Sequence, residues 1–217
     1  MSNLKEQAKR LTDGALTVPN ALSLVRIILV PVFLVLFLKE SYLAAIIVVA
    51  VSGLTDFLDG KIARRFNQIS NLGKLLDPLA DKLTQMTIAI AFFFAYHGAE
   101  DSLLRGFSWI FWFYVVKELL MVVGSVVMLS VNIIPGAAII YGKVATFVYY
   151  LVMLLLLICS PVFGLTASFG AWTLPSVVVV ILVSISAVLT LIAFISYMPD
   201  ILKQVKEHKA NKADNKE

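Results

Sequence analysis

Apolar residues are grouped along the chain in long stretches, separated by short segments that hold most of the charged and turn-forming residues. Six stretches are long enough to cross the ~30 Å hydrocarbon core of a bilayer as an α-helix. They are residues 18–38, 42–60, 78–96, 106–131, 144–164 and 174–199. Because backbone polar groups find no partners in lipid, each span must be helical. The pattern predicts an all-α integral membrane fold with six transmembrane helices.

The segments outside the spans divide the chain into three parts. Residues 1–17 form an N-terminal juxtamembrane segment, in which Leu4, Ala8 and Leu11 have helical spacing. This segment suits a short amphipathic helix on the membrane surface, and a solvated, unfolded start fits it equally well. We predict a six-helix membrane domain over 18–201. A polar, Lys-rich cytoplasmic tail follows at 202–217.

Composition supports a membrane protein. The chain is 60% hydrophobic and 15% charged, whereas soluble domains are about 45–50% apolar and about 25% charged. The single cysteine, Cys159, excludes an intrachain disulfide framework and a CxxC metal site. We expect membrane lipids as neighbours and no nucleic-acid partner.

The distribution of basic residues predicts the orientation. Six spans place both termini on one side of the membrane, and that side receives 14 of the 18 Lys and Arg residues. Only Lys39 and Arg105 lie on the opposite side. Positive residues accumulate on the cytoplasmic side of membrane proteins. Both termini are therefore predicted to be cytoplasmic, in a multi-pass protein of the cytoplasmic membrane.

Four aspartates lie at the predicted cytoplasmic ends of the second and third spans. Asp56 and Asp59 are three residues apart and Asp77 and Asp81 are four apart, so each pair shares one helix face. In two antiparallel helices the pairs would face each other, and converging carboxylates repel unless cations neutralise them. Ligands that offer only oxygen select hard cations. We predict that all four aspartates form a site for Mg²⁺ or Mn²⁺, with two ions present.

Small and basic residues accompany the aspartates. Gly60 lets a bulky ligand approach the backbone closely, Ala63 extends that small-residue face, and Arg64 can bind phosphate oxygens bidentately. Each residue also has an ordinary alternative. Asp77 before Pro78 is a common helix start, and the basic residues could simply mark the cytoplasmic side. The combination of eight residues at fixed spacing favours a functional site.

The stretch from Asp56 to Asp81 matches the pattern D-x2-D-G-x2-A-R-x8-G-x3-D-x3-D without a mismatch, and the chain resembles the CDP-alcohol phosphotransferase family. The resemblance implies transfer of a substituted phosphate from a CDP-linked donor to an alcohol, with release of CMP. Asp59 and Asp77 would bind metal with Asp56, and Asp81 would lie near the metal and act as general base. The residues implied for donor binding are Asp56, Gly60, Ala63, Arg64 and Gly73. The resemblance also implies a homodimer.

The first span begins with TVPNALSLVR, which resembles the opening of phosphatidylglycerophosphate synthases and of CMP-forming cardiolipin synthases. Asn20, Ser23 and Arg26 share one helix face there. Arg26 lies ~12 Å inside the start of the span. An Arg at this depth needs an anionic partner, which places it near the active site unless it snorkels to the interface.

Other basic residues extend this predicted acceptor site. Lys117 precedes Glu118 in the fourth span; it could meet a phosphate, or the pair could join helices. The predicted acceptor-binding residues are Asn20, Arg26, Arg65, Lys74, Lys117 and Lys143. Such a basic pocket favours transfer from CDP-diacylglycerol to glycerol 3-phosphate. Related synthases carry a further Arg that residues 119–128 lack, so phosphatidylglycerol, the acceptor of CMP-forming cardiolipin synthases, is the alternative.

Intramembrane carboxylates also occur in cation transporters. That interpretation predicts carboxylates near the bilayer midplane, on spans broken by Gly or Pro. The aspartates here lie instead at one membrane edge, beside an Arg and two Gly residues. The sequence therefore predicts a phospholipid-synthesising transferase whose active site faces the cytoplasm.

Overall fold

The computed structural model describes residues 17–65, 73–130 and 140–214, with side chains for 17–55, 73, 76–124, 140–197 and 199. All regular structure in these ranges is helical. The helices are α1 (Val18–Leu38), α2 (Tyr42–Arg65), α3 (Gly73–His97), α4 (Ser102–Phe107), α5 (Ile110–Ser130), α6 (Ile140–Cys159), α7 (Leu165–Ser168) and α8 (Ser176–Asp214). The all-α prediction is confirmed for the described part of the chain.

Local chemistry sets the helix ends. Thr17 caps α1, because its side chain accepts a hydrogen bond from the Asn20 N–H, and Pro19 occupies the first turn.

The fifth predicted span, 144–164, differs from α6 at both ends. Helix α6 stops at Cys159 because Pro161 disfavours helical backbone at the residue before it.

Gly164 makes the turn after α6 possible. Its φ is +113°, and a Cβ at this position would lie 2.9 Å from the Leu157 carbonyl oxygen. Only glycine adopts such a backbone without strain. The chain then folds back on α6, and the Leu174 N–H donates to the Cys159 carbonyl at 2.8 Å.

The six long helices pack as a closed ring. Helix α1 contacts α2, α2 contacts α6, α6 contacts α8, α8 contacts α5, α5 contacts α3, and α3 returns to α1. An aromatic cluster fills one end of the ring, formed by Phe37, Phe92, Tyr96, Phe111 and Phe163. These side chains are buried. The opposite end holds a cavity.

At the aromatic end, Asp101 caps α4 and ties it to α8. Its carboxylate accepts a hydrogen bond from the Ser176 hydroxyl and others from the N–H groups of Leu103 and Leu104. These donors lower the pKa of Asp101, the Ser176 hydroxyl having the largest effect. The start of α8 is thereby held beside α4.

Four helical segments in the described ranges are long and apolar enough to cross a membrane: Val18–Leu38, Ser102–Gly124, Ile140–Cys159 and Ser176–Tyr197. Tyr42–Thr55 is a shorter apolar helix. Helices α2 and α3 carry the charged residues of the aspartate motif at their adjoining ends, which shortens their apolar parts. The count of six spans and the cytoplasmic termini stay predictions.

Candidate active site

A cavity of about 790 Å³ lies inside the ring, and all six long helices contribute to its wall. Among the side chains that the structure describes, its charged lining residues are one acid and four bases: Asp81, Arg26, Lys82, Lys117 and Lys143. Polar side chains add Ser52, Gln85, Thr146, Tyr149, Tyr150, Thr190 and Tyr197. The part of the cavity wall that the structure describes therefore carries a net positive charge and includes one carboxylate. Such a wall suits a ligand with phosphate groups.

Asp77 and Asp81 lie on successive turns of α3. The Asp77 Oδ1 accepts a hydrogen bond from the Ser23 hydroxyl, which ties α3 to α1. Asp77 is not the N-cap of α3, because that helix begins at Gly73. The helix-start interpretation of Asp77 and Pro78 is therefore wrong.

Asp81 is held by two neutral donors. The Gln85 Nε2 donates to Asp81 Oδ2 at 2.8 Å, and the Tyr150 hydroxyl donates to Asp81 Oδ1 at 2.9 Å. Sequence reasoning identified neither donor. Gln85 could have been found, since it lies four residues after Asp81 and shares its helix face. Tyr150, 69 residues away on α6, gave no such signal.

Glu118 joins two lysines at the cavity wall. Its Oε2 lies 2.6 Å from the Lys82 Nζ, and its Oε1 contacts the Lys117 Nζ. The Glu118 side chain is 2% exposed and those of the lysines are 16% and 15% exposed. The ion triad links α3 to α5, and both lysines also line the cavity. The Lys82–Glu118 pair makes the connection between the helices, whereas Lys117 contacts Glu118 within α5 and lines the cavity.

The other predicted acceptor residues differ in position. Arg26 is buried at the cavity wall, and Lys143 lines it from α6. Asn20 is buried in the first turn of α1. Gly142, beside Lys143, packs against α8, where an added Cβ would lie 2.5 Å from the Tyr197 hydroxyl.

Several predicted site residues lie outside the described side chains. They are Asp56, Asp59, Gly60, Ala63, Arg64, Arg65 and Lys74. The backbone of α2 is helical through Arg65, so Asp56 and Asp59 are one turn apart. Gly73 is buried as the first residue of α3.

The described part of the aspartate motif fits a hard dication. Asp77 and Asp81 offer carboxylate oxygens on adjacent turns, the donor type that Mg²⁺ and Mn²⁺ prefer. The same carboxylates accept the hydrogen bonds from Ser23, Gln85 and Tyr150. Among the side chains that the structure describes, no three His, Cys, Asp or Glu residues form a metal-binding group.

Known proteins match parts of this chain. The Aquifex aeolicus CDP-diacylglycerol–glycerol-3-phosphate 3-phosphatidyltransferase is 35% identical over 131 residues, which cover 60% of this chain and 70% of that protein. The Pseudomonas fluorescens protein of the same name is 40% identical over 86 residues, 38% of this chain and 44% of that protein. The Streptomyces coelicolor CMP-forming cardiolipin synthase is 53% identical over 78 residues, 33% of this chain and 36% of that protein.

The matched region thus spans about a third of the Streptomyces synthase and over two thirds of the Aquifex transferase. No solved structure matches the chain. A sequence model described as CDP-alcohol phosphatidyltransferase matches residues 16–192, which include α1 to α6, the aspartate motif and the cavity-lining residues through Thr190. The chain therefore belongs to the CDP-alcohol phosphatidyltransferase family.

Proposed function

We propose that this protein transfers the phosphatidyl group of CDP-diacylglycerol to glycerol 3-phosphate and releases CMP. The observation that carries the proposal is the cavity whose described wall contains Arg26, Lys82, Lys117 and Lys143 together with the Asp81 carboxylate. A phosphate-bearing alcohol matches these charges, because its phosphate meets the cations while its hydroxyl approaches the carboxylate. The names of the Aquifex and Pseudomonas relatives support the same acceptor.

In the proposed reaction, Asp81 takes the proton of the acceptor hydroxyl. The acceptor oxygen forms a bond to the phosphorus that carries diacylglycerol, and the bond from that phosphorus to CMP breaks. Lys117, Lys143 and Arg26 hold the acceptor phosphate, which fixes its hydroxyl near Asp81. In this proposal Asn20, Arg65 and Lys74 complete the acceptor side. The donor side consists of Asp56, Gly60, Ala63, Arg64 and Gly73.

Asp56, Asp59, Asp77 and Asp81 would hold two Mg²⁺ or Mn²⁺ ions. When bound, such ions neutralise the diphosphate and stabilise the departing CMP. The protein's own contribution on α3 is a carboxylate pair whose orientation is supported by Ser23, Gln85 and Tyr150.

The same proposal includes the membrane arrangement. With six spans and cytoplasmic termini, the cavity is expected to open on the cytoplasmic side, because Arg26, Lys82 and Lys143 line it from the halves of α1, α3 and α6 that are nearer the predicted positive side. CDP is water-soluble and acyl chains are not, so a site at this edge serves both parts of the donor. A homodimer in the cytoplasmic membrane completes the proposal.

Phosphatidylglycerol is the second candidate acceptor. The 53% identity to the Streptomyces CMP-forming cardiolipin synthase favours it. The apolar side of the cavity, with Phe147, Leu151, Leu154 and Phe194, could accept the chains of a lipid acceptor. Transport of cations loses its support, since the matched family is named for transferases.

The test uses purified protein with CDP-diacylglycerol and Mn²⁺. Glycerol 3-phosphate, phosphatidylglycerol, serine and inositol phosphate are offered separately, and CMP release is followed. We expect release with glycerol 3-phosphate. Release with phosphatidylglycerol alone would establish the second candidate, and no release with any acceptor would contradict both.

A further inference from the structure

Two consecutive tyrosines on α6 reach to α3 at adjacent turns. The Tyr149 hydroxyl donates to the backbone carbonyl of Gln85 at 2.8 Å, and the Tyr150 hydroxyl donates to Asp81 Oδ1 at 2.9 Å. The Gln85 Nε2 donates to the second carboxylate oxygen, Asp81 Oδ2, at 2.8 Å. Both oxygens of Asp81 are therefore held by neutral donors that come from two different helices.

This arrangement restricts the orientation of the Asp81 carboxylate. A single donor would leave the group free to turn about its terminal torsion, whereas a donor on each oxygen fixes the plane of the carboxylate. A general base must lie within hydrogen-bond reach of the proton it takes. A displacement of about 1 Å at such a group can cost about a hundredfold in rate.

The two tyrosines differ in ways that separate anchoring from positioning. Tyr149 is 1% exposed and bonds to backbone, so it joins α6 to α3 whatever the state of the site. Tyr150 is half-buried, lines the cavity and bonds to the carboxylate itself. With Tyr149 already joining the helices, the Tyr150 hydroxyl has its main consequence at Asp81.

We propose that Tyr150 is a positioning residue for Asp81, with Gln85 as its counterpart on the other carboxylate oxygen. The inference rests on the proposed function, in which Asp81 takes the proton of the acceptor. The Tyr150 hydroxyl holds Oδ1 and Gln85 holds Oδ2, which together set the orientation of a carboxylate that lines the cavity. Tyr150 takes no part in bond making.

The test replaces Tyr150 by Phe, which removes one hydroxyl and keeps the ring. The values of kcat and KM are measured with CDP-diacylglycerol, glycerol 3-phosphate and Mn²⁺. We expect kcat to fall about tenfold, the size of effect of a hydrogen bond to a charged group. Both KM values should stay within about twofold, because the groups proposed to hold the substrates are unchanged.

Tyr96→Phe is the matched control. The Tyr96 hydroxyl also makes one buried hydrogen bond of 2.9 Å, to the Ser160 hydroxyl, but it lies in the aromatic cluster at the other end of the ring. This variant also removes one phenolic oxygen, and it should keep the wild-type kcat. Gln85→Met, which removes the donor to Oδ2 at similar side-chain length, is the second test variant. This substitution should also lower kcat, as Tyr150→Phe does.

Wild-type kcat in Tyr150→Phe, or an equal loss in Tyr96→Phe, would overturn the inference while leaving the proposed function intact. A loss confined to KM would overturn it as well. If wild-type protein uses phosphatidylglycerol instead, the same variants are compared with that acceptor and the same outcomes decide. Wild-type protein that releases no CMP with any acceptor would overturn the proposed function and this inference together.

Discussion

At the scale of single residues, the site depends on where each carboxylate finds its hydrogen bonds. Asp77 faces α1 through Ser23, and Asp81 faces the cavity with Gln85 and Tyr150 as its donors. The two aspartates are one turn apart on α3 and have different partners. Their surroundings therefore differ, and Asp81 is the one of the two that lines the cavity.

Asp81→Asn tests that assignment. A carboxamide cannot take the acceptor's proton, so we expect CMP release to fall by about 10²- to 10⁴-fold. Donor binding should be largely kept and is measured as the rise in thermal midpoint on adding CDP with Mn²⁺. Asp101→Asn, at the aromatic end, is the control and should be fully active. An Asp81→Asn variant with full turnover would remove Asp81 as the base.

Lys117→Met tests the acceptor site. The substitution keeps the apolar stem and removes the ammonium group, while Glu118 retains its contact with Lys82. We expect the KM for glycerol 3-phosphate to rise about tenfold, since a hydrogen bond to a charged group is lost. The KM for CDP-diacylglycerol should stay the same. An unchanged KM for glycerol 3-phosphate would remove Lys117 from the acceptor site.

The sequence predicted residue chemistry where the signal was local. The four aspartates, Arg64 and Gly60 stand in one short stretch at fixed spacing, so their type and order carry the prediction. The Asp81–Tyr150 bond joins residues 69 positions apart and depends on which helices pack together. No periodicity within a single segment contains that information.

At the scale of helices, the buried Glu118 links α3 to α5 through its ion pair with Lys82. One carboxylate contacts two ammonium groups, so the triad carries a net positive charge beside the cavity. A buried charge left without its partner is costly. The positions of Lys82 and Lys117 at the cavity wall therefore depend on the Glu118 carboxylate.

Glu118→Gln should destabilise the fold. It removes the carboxylate charge that both ammonium groups contact, and we expect the free energy of unfolding to fall by about 3–5 kcal/mol. The thermal midpoint in detergent measures this loss. Glu100→Gln, an exposed loop position, should leave the midpoint unchanged. If both variants unfold at the wild-type temperature, the triad does not hold α3 to α5.

Helix positions followed from the apolar pattern more closely than helix ends did. Residues 18–38 coincide with α1 because Thr17 and Pro19 begin that helix at the start of its apolar run. The end of α6 was missed because residues up to Gly164 stay mostly apolar, while Pro161 and the φ of Gly164 end the helix earlier. Hydrophobicity alone does not reveal such a turn.

At the scale of the whole molecule, the ring of six long helices brings residues from distant parts of the chain to one cavity. Arg26 on α1, Asp81 on α3 and Thr190 on α8 line the same space. The order of helices around the ring could not be predicted from the sequence, because apolar faces in a membrane protein pack against helices and lipid alike. The ring is nonetheless what turns scattered basic residues into a single pocket.

The central requirement of the proposed reaction is that dications hold the aspartates together around a nucleotide diphosphate. The direct measurement is CMP release by wild-type protein from CDP-diacylglycerol and its acceptor, first with Mn²⁺, then with excess chelator, then with Mn²⁺ restored. We predict that turnover stops with chelator and returns with the metal. Undiminished turnover in excess chelator would contradict the account.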